Sequence, residues 1–550
     1  NATFKSNYNI SNNKNIYLKF SHNYENSNAT YTGLTEYSFE TDPKFNPKKD
    51  DNFKISRSSL DIIQSERINN NKSITSKLYA SYFDRRWWRE NDIFILASDL
   101  DEEDPSVPDM NSYADYVRVG NGENNLGILR TFYVLGYEQI HSIKTTFFNS
   151  PSTLEYSGRI YWERFIDNKK HGDAPDARSG RFTDPAEICN IELDDEGGCP
   201  LDQFEDLNGN SEFDEFETAL SYTQSHHYET TALSGFISNT TDFNFATISL
   251  GLRLEVFEQE RIDLLDGASY LDQTTIEVLP SISFIKSLNY FSLFGGVHRG
   301  YTAPSSGALK QTSFSLDTGL DLKSEKSWNK EVGIRSTESV DILDYEFSFF
   351  HIDIEDMVAA GRGTIFKNLG KIEILGTETN LLARLDKYTF LPNIHLTHTF
   401  LKSNIKDGFL KPYNFLGSGN EKSVVGYELP YCPKNTFLIG IEKTMFNFLS
   451  IRVDFKHVDR VYTDFFNLDE NYIKNLGIQG PVPSYDVINT SIVFNASDKL
   501  SISLIGKNIT DEVYIGSRLH SNPSQTEAGM SSGIIPGPRR QINFGINYKF

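Results

Sequence analysis

Gln541-Ile542-Asn543-Phe544-Gly545-Ile546-Asn547-Tyr548-Lys549-Phe550 closes the chain, and its reading decides the fold. Ile542, Phe544, Ile546, Tyr548 and Phe550 are apolar or aromatic, while Asn543, Gly545, Asn547 and Lys549 are small or polar. Successive side chains of a strand point to opposite faces, so this alternation fits one face to lipid and the other to a hydrated or protein-filled lumen. An edge strand of a soluble sheet would alternate in the same way, so the decision rests on the remainder of the chain. Just upstream, Ser484–Ala496 and Leu500–Ile505 read as two further strands around a Ser-Asp-Lys turn.

Strand-like segments recur back to the start, from Thr3–Ile10 and Ile16–Tyr24 through Phe53–Glu66 and Ser73–Phe83. Leu129–Tyr137 and Lys144–Phe148 read as two more, and residues 149–225 as the longest irregular region. Turns of about two to five residues alternate with loops of roughly fifteen to seventy-five, the asymmetry of an outer-membrane barrel. The expectation is an all-β fold: a large antiparallel transmembrane β-barrel of about 20–22 strands with long extracellular loops. A chain of 550 residues would ordinarily split into several domains, yet no linker divides it, and residues 1–550 read as one barrel.

Composition agrees. The 28 Tyr and 40 Phe bring aromatic content to 13%, with only 38% hydrophobic residues, which describes alternating strands rather than Leu/Ala-rich helices. No apolar run reaches the roughly 18 residues that a membrane helix needs. The net charge of −22, from 53 basic and 75 acidic side chains, argues against nucleic acid as a partner. Direction can be followed as well. The last strand should run from outside to a periplasmic C-terminus, and the first visible strand runs the same way. An even-numbered barrel then predicts at least one strand, and whatever precedes it, upstream of Asn1.

Several stretches resemble the C-terminal barrel of TonB-dependent outer-membrane receptors, in particular the ferric-dicitrate-type branch. They are Thr32-Gly33-Leu34-Thr35 with Asp42-Pro43, Gly296-Val297-His298-Arg299-Gly300-Tyr301-Thr302-Ala303-Pro304-Ser305 and Glu325-Lys326-Ser327-Trp328-Asn329-Lys330-Glu331-Val332-Gly333-Ile334-Arg335. Leu429-Pro430-Tyr431-Cys432-Pro433, Lys507-Asn508-Ile509-Thr510-Asp511-Glu512-Val513-Tyr514 and Pro536-Gly537-Pro538-Arg539-Arg540 complete the series. The resemblance implies a barrel filled by an N-terminal plug, bacterial outer-membrane lipid around it, and uptake of an iron chelate. It also implies a TonB-type energy-coupling protein that pulls on a TonB box in the plug; this sequence shows neither plug nor box. The Glu325–Arg335 motif reads as a rim or strand-packing signature rather than a ligand contact.

The loops carry the readable chemistry. Asp206-Leu207-Asn208-Gly209-Asn210-Ser211-Glu212-Phe213-Asp214-Glu215-Phe216-Glu217 fits the twelve-residue calcium loop. Asp206, Asn208, Asn210, Glu212, Asp214 and Glu217 are the candidate ligands of a structural Ca2+, with Ser211 where the sharp turn normally has glycine. Cys189 and Cys199 fit a local disulfide, and Cys432 stands alone. Arg85, Arg86, Trp87, Trp88 and Arg89 form the best anionic-ligand candidate, since guanidinium forks suit carboxylate-bearing chelates and tryptophan supplies flat contact surface. The competing reading is an interfacial aromatic belt with snorkelling basic residues. His298 and Arg299 admit the same two readings. No nucleophile–base pairing is legible, so an enzyme is not expected. Two other functions stay open: uptake of a glycan, peptide or cobalamin, and a non-transporting surface barrel whose long loops hold a protein partner.

Overall fold

The computed structural model describes residues 1–30, 32–34, 36–46, 48–96, 116–172, 174–178, 222–264, 269–303, 323–337, 340–359, 367–387, 390–410, 421–469, 480–519 and 533–549. Its strands are β1 (Ala2–Ser11), β2 (Lys14–Ser27), β3 (Asn52–Arg67), β4 (Lys72–Leu96), β5 (Tyr116–Phe147), β6 (Ser150–His171), β7 (Tyr222–Asp242) and β8 (Thr247–Asp263). They continue with β9 (Ser269–Ser287), β10 (Phe291–Thr302), β11 (Glu325–Ser336), β12 (Leu343–Glu355), β13 (Val358–Ala359), β14 (Lys367–Asn368), β15 (Lys371–Ala383) and β16 (Asn393–Ile405). The last are β17 (Phe409–Leu410), β18 (Lys422–Ser423), β19 (Asn435–Met445), β20 (Leu449–Val458), β21 (Tyr485–Asn495), β22 (Leu500–Lys507), β23 (Ile515–Arg518), β24 (Ile534–Pro536) and β25 (Gln541–Tyr548).

Nineteen of these form one sheet: β1 to β12, β15, β16, β19 to β22 and β25. Each pairs antiparallel with the next in that series, an up-and-down meander from end to end. The six short strands pair among themselves in the loops. Alternate connections lie at the same end of a meander. At one end they are tight, as at Asn12–Asn13 between β1 and β2 and at Phe148–Asn149 between β5 and β6. At the other end residues 28–51, 172–221 and 508–540 separate neighbouring strands. There the connection after β2 meets the one before β25: Leu34 N donates to Ile534 O at 2.6 Å and Ile534 N to Leu34 O at 2.9 Å. The first and last parts of the wall are thus brought together at the rim.

The two faces differ as a membrane barrel requires. Leu78, Tyr137, Ile160 and Leu233 are cross-strand neighbours in one row over β4 to β7, and they are 41%, 43%, 61% and 60% exposed. Such a row of bare apolar side chains belongs in lipid. One residue along each strand, the opposite face carries Lys77, Glu138, Arg159, Ser234, Glu255 and Glu277 in register. Lys77 pairs with Glu138 at 3.1 Å and Arg159 with Glu255 at 3.7 Å. Charge on that face, ion-paired and away from the apolar row, marks it as the lumen.

The structure corrects the strand reading in three places. The irregular region expected over 149–225 contains β6, a 22-residue strand. Asn-Ser-Pro at 149–151 reads as a loop, but Phe148 and Asn149 both adopt positive φ (48° and 61°) in a two-residue turn, and Pro151 is tolerated because it opens the strand. Second, Leu129–Tyr137 and all of Lys144–Phe148 but its last residue are parts of the single strand β5. Its middle breaks the alternation because Gln139 and His141 are polar on the outward row of Tyr137, while Ile140 sits on the lumenal row of Glu138. Third, the strand expected at Ile365–Leu369 is reduced to the two residues of β14.

Candidate functional site

Arg85 to Arg89 lie inside β4, near its long-loop end, so period-2 geometry divides the block. Arg85, Trp87 and Arg89 share the face of Lys77, the lumen; Arg86 and Trp88 share the other. Trp87 is the anchor: its indole Nε1 donates to Ala29 O at 2.8 Å, and Phe53 meets it edge-on at 5.4 Å. The guanidinium carbons of Arg85 and Arg89 each lie 5.7 Å from the centroid of that indole. The flat ring therefore holds two cations side by side, by attraction to its π-face.

Cross-strand register extends this surface. Arg85 faces Arg130 on β5, which faces Asp167 on β6. Arg130 grips Asp167 with Nε at 2.7 Å and Nη2 at 3.3 Å, and Gln224 Nε2 donates to the same carboxylate at 3.0 Å. Asp167 has no exposed surface, so these bonds are what permit its burial. Arg130 is thereby matched; Arg85 forms no ion pair among the described residues, and its Nε is buried without a hydrogen bond. The next row on the same face is aromatic. Phe83, Phe132, Phe165 and Tyr228 follow one another at centroid distances of 5.6, 4.3 and 5.3 Å. Arg261 lies over Tyr228 at 5.9 Å and reaches His226 Nε2 at 3.1 Å. The lumenal patch thus combines cations with stacked aromatic surface, which suits a flat or polyanionic ligand.

The other half of the block is structural. Arg86 pairs with Asp84 at 2.8 Å, and Thr131 Oγ1 donates to the same Asp84 at 3.0 Å. Trp88 is 3% exposed and lies flat across Gly127, where a Cβ would come within 2.7 Å of the indole. Two residues along the strand, the connection after β2 is fastened to Glu90: Lys48 Nζ donates to Glu90 O at 2.5 Å and Glu90 N to Asp51 Oδ1 at 2.7 Å. Burial pushes the Asp51 carboxyl up, partly offset by that backbone N–H. His298 and Arg299 do not join the patch, being six strands along the wall on β10. Arg299 instead stacks 5.8 Å from the ring of Trp328 on β11, on the face of exposed Val332 and Ile334, as a belt residue does.

Asp206, Asn208, Asn210, Glu212, Asp214 and Glu217 lie outside the described residues, as do Cys189 and Cys199. Cys432 is a free, half-buried thiol at the rim. Sequence reasoning missed Arg130, Asp167 and Arg261 in the patch. Each is an isolated charge within an alternating run, and only cross-strand register shows that they converge.

A family model described as TonB dependent receptor-like, beta-barrel, matches residues 1–509. The chain belongs to the TonB-dependent receptor β-barrel family. Among solved structures this receptor barrel is similar to the ferric citrate transporter FecA in its unliganded form, with a TM-score of 0.73 at 14% identity, covering 100% of this chain and 69% of that one. It is similar to the ferric-catecholate import receptor Fiu of E. coli K12, with a TM-score of 0.69 at 13% identity, covering 100% and 74%. The siderophore receptor PiuA of Acinetobacter baumannii gives 0.68 at 14%, covering 99% and 73%. No curated protein sequence matches the chain. At these identities the likeness concerns the fold. Family membership makes the protein a bacterial outer-membrane receptor with a transport role.

Four of the stretches that resemble the receptor family make clamps at the rim. Gly33 passes so close to Gly533 that a Cβ would lie 2.6 Å from its carbonyl carbon, which explains glycine there. Tyr431 Oη donates to Arg518 O at 2.9 Å and accepts from Arg518 N at 3.0 Å. Asn508 Nδ2 donates to Glu512 O at 2.9 Å and Pro538 O at 3.0 Å. The Glu325–Arg335 motif is β11 itself, with Glu325 Oε1 accepting from Val358 N at 2.7 Å, in keeping with a rim and packing role.

Proposed function

We propose that this receptor barrel imports an anionic iron chelate of the siderophore or ferric-citrate class, and that Arg85, Trp87 and Arg89 receive it in the lumen. The carrying observation is that strand parity places two arginines around one indole on the lumenal face, beside a row of four aromatic rings. Carboxylate or phenolate oxygens of a chelate would take up the guanidinium donors, and its flat ligand arms would lie on the rings. Similarity to receptors named for ferric citrate, ferric catecholates and siderophores supports the iron-chelate class. Import through so wide a barrel needs a lumenal plug and an energy-coupling partner of TonB type, both implied by the family.

The test is binding and uptake of a panel of labelled ferric chelates by the full-length receptor in cells, with and without energy coupling. Charge-assisted hydrogen bonds contribute about 1.5–3 kcal/mol each, so Arg85→Ala with Arg89→Ala should weaken binding of the accepted chelate by at least roughly tenfold. Arg86→Ala, on the outer face and paired with Asp84, should leave it unchanged. Wild-type binding by the double variant to every chelate would sink the site, whereas chelate uptake indifferent to energy coupling would sink the transport reading.

A further inference from the structure

A second cluster stands on the outside of the wall. His351 and Asp353 are two residues apart on β12 and share a face with Phe347 and Phe349, which are 45% and 44% exposed. Glu373 of β15 is the direct cross-strand partner of Asp353. One ligand atom from each of the three lies within 4.8 Å of the others. His351 Nε2 is 3.3 Å from Asp353 Oδ1 and 3.3 Å from Glu373 Oε1.

Three features distinguish this from an ordinary surface ion pair. Nε2 is buried and makes no hydrogen bond, although two carboxylate oxygens are close to it. A charge-assisted N–H···O bond would draw the atoms to about 2.7–2.9 Å. The far oxygens of both carboxylates are already fixed. Asp353 Oδ2 accepts from Lys330 Nζ at 2.8 Å, and Glu373 Oε2 accepts from Lys406 Nζ at 2.7 Å. Each carboxylate therefore presents one oxygen to the imidazole and is held there by a lysine, the kind of outer support that metal ligands have. The 3.3 Å spacings also match the edge of a tetrahedron with bonds of about 2.0–2.1 Å, which is roughly 3.3–3.4 Å.

We propose that His351 Nε2, Asp353 Oδ1 and Glu373 Oε1 form a divalent-metal site of the zinc class on the outer wall, with water completing the coordination. One imidazole and two carboxylates are a borderline-hard donor set, better matched to zinc than to calcium, which takes oxygen alone. Metal binds Nε2 only without its proton, so zinc and protons compete for the site. The imidazole proton then resides on Nδ1. The 3.4 Å bond that Lys330 Nζ donates to Nδ1 is then given up, and Lys330 keeps its shorter bond to Asp353. The ion would staple β12 to β15 where the apolar face of the wall gives way to charge.

The experiment uses the full-length receptor in detergent, stripped of metal and titrated with zinc chloride, with cobalt(II) as a spectroscopic substitute. Wild type should take up one more equivalent of zinc than His351→Ala. Glu373→Gln should weaken that site by about tenfold or more. The intense visible bands of low-coordinate cobalt should appear in wild type and be lost in both variants. Heat-modifiable gel mobility confirms that each variant remains a folded barrel. Equal zinc uptake by wild type and His351→Ala, or cobalt bands unchanged by both substitutions, overturns the proposal.

Discussion

Asp511 gathers three donors on one carboxylate: Arg539 Nε at 3.0 Å, Arg539 Nη2 at 2.7 Å and Arg540 N at 2.9 Å. The Arg539 guanidinium first, and then the Arg540 backbone N–H, hold its carboxyl well below the usual carboxylate range. A folded-state value depressed in this way stabilises the loop above the unfolded-state pKa, and the contribution is lost only as pH falls through the lower folded-state value. The clamp should therefore persist at about pH 5, where a free aspartate is still largely ionised, and fail only well below about pH 4. Limited proteolysis of the 508–540 connection should show wild type protected at about pH 5 and above, and Asp511→Asn cut faster throughout that range. Equal cleavage of the two proteins at neutral pH would remove the clamp's role. The residue scale is also where the sequence was least legible. Arg85 to Arg89 reads as one basic-aromatic block, but the strand divides its members between two faces. Parity sends Arg85, Trp87 and Arg89 to the lumen and Arg86 with Trp88 to the outside, and parity is fixed only once the strand's start is known.

Single elements were legible where alternation was clean and lost where function interrupts it. β25, β22 and β3 fall within one or two residues of the segments read from sequence, and in β25 and β22 the outward row is apolar almost throughout. β6 was missed although its alternation is present, since a turn with positive φ at Phe148 and Asn149 leaves little mark on the sequence. The His351–Asp353–Glu373 cluster lay beyond reach for another reason: His-x-Asp shows a shared face, but the pairing of Asp353 with Glu373 is a matter of register between strands. The loop elements yield a prediction of their own. Tyr431 Oη serves both backbone groups of Arg518, which is only 9% exposed, and so ties the connection after β16 to the one after β22. Tyr431→Phe keeps the ring and removes both bonds. Stranding buried backbone groups costs about 1–3 kcal/mol, localised to this clasp. Hydrogen exchange at Ile515–Arg518 should rise while exchange in the wall strands stays constant. Unchanged exchange in that segment would show that other contacts carry the clasp.

At the scale of the molecule, the meander, its short and long ends and its two faces all follow from period-2 patterning, while the cargo does not. Recognition of a ligand depends on which side chains the lumen presents together, and that is a property of the assembled wall. Charge gives a prediction that separates the two length scales. The chain carries a net charge of −22, so an anionic chelate approaches against the far field of the protein. Salt shortens the screening length from about 10 Å at 0.1 M to about 3 Å at 1 M, which weakens that repulsion. Within the lumen Arg85 and Arg89 act at contact distance, where screening matters far less. Raising salt should therefore increase the association rate of an anionic chelate, whereas Arg85→Ala with Arg89→Ala should act mainly on dissociation. Stopped-flow binding to the full-length receptor measures both rates. An association rate that falls steeply with salt would mean that the mouth presents positive potential at long range. The arginines would then steer the ligand rather than hold it.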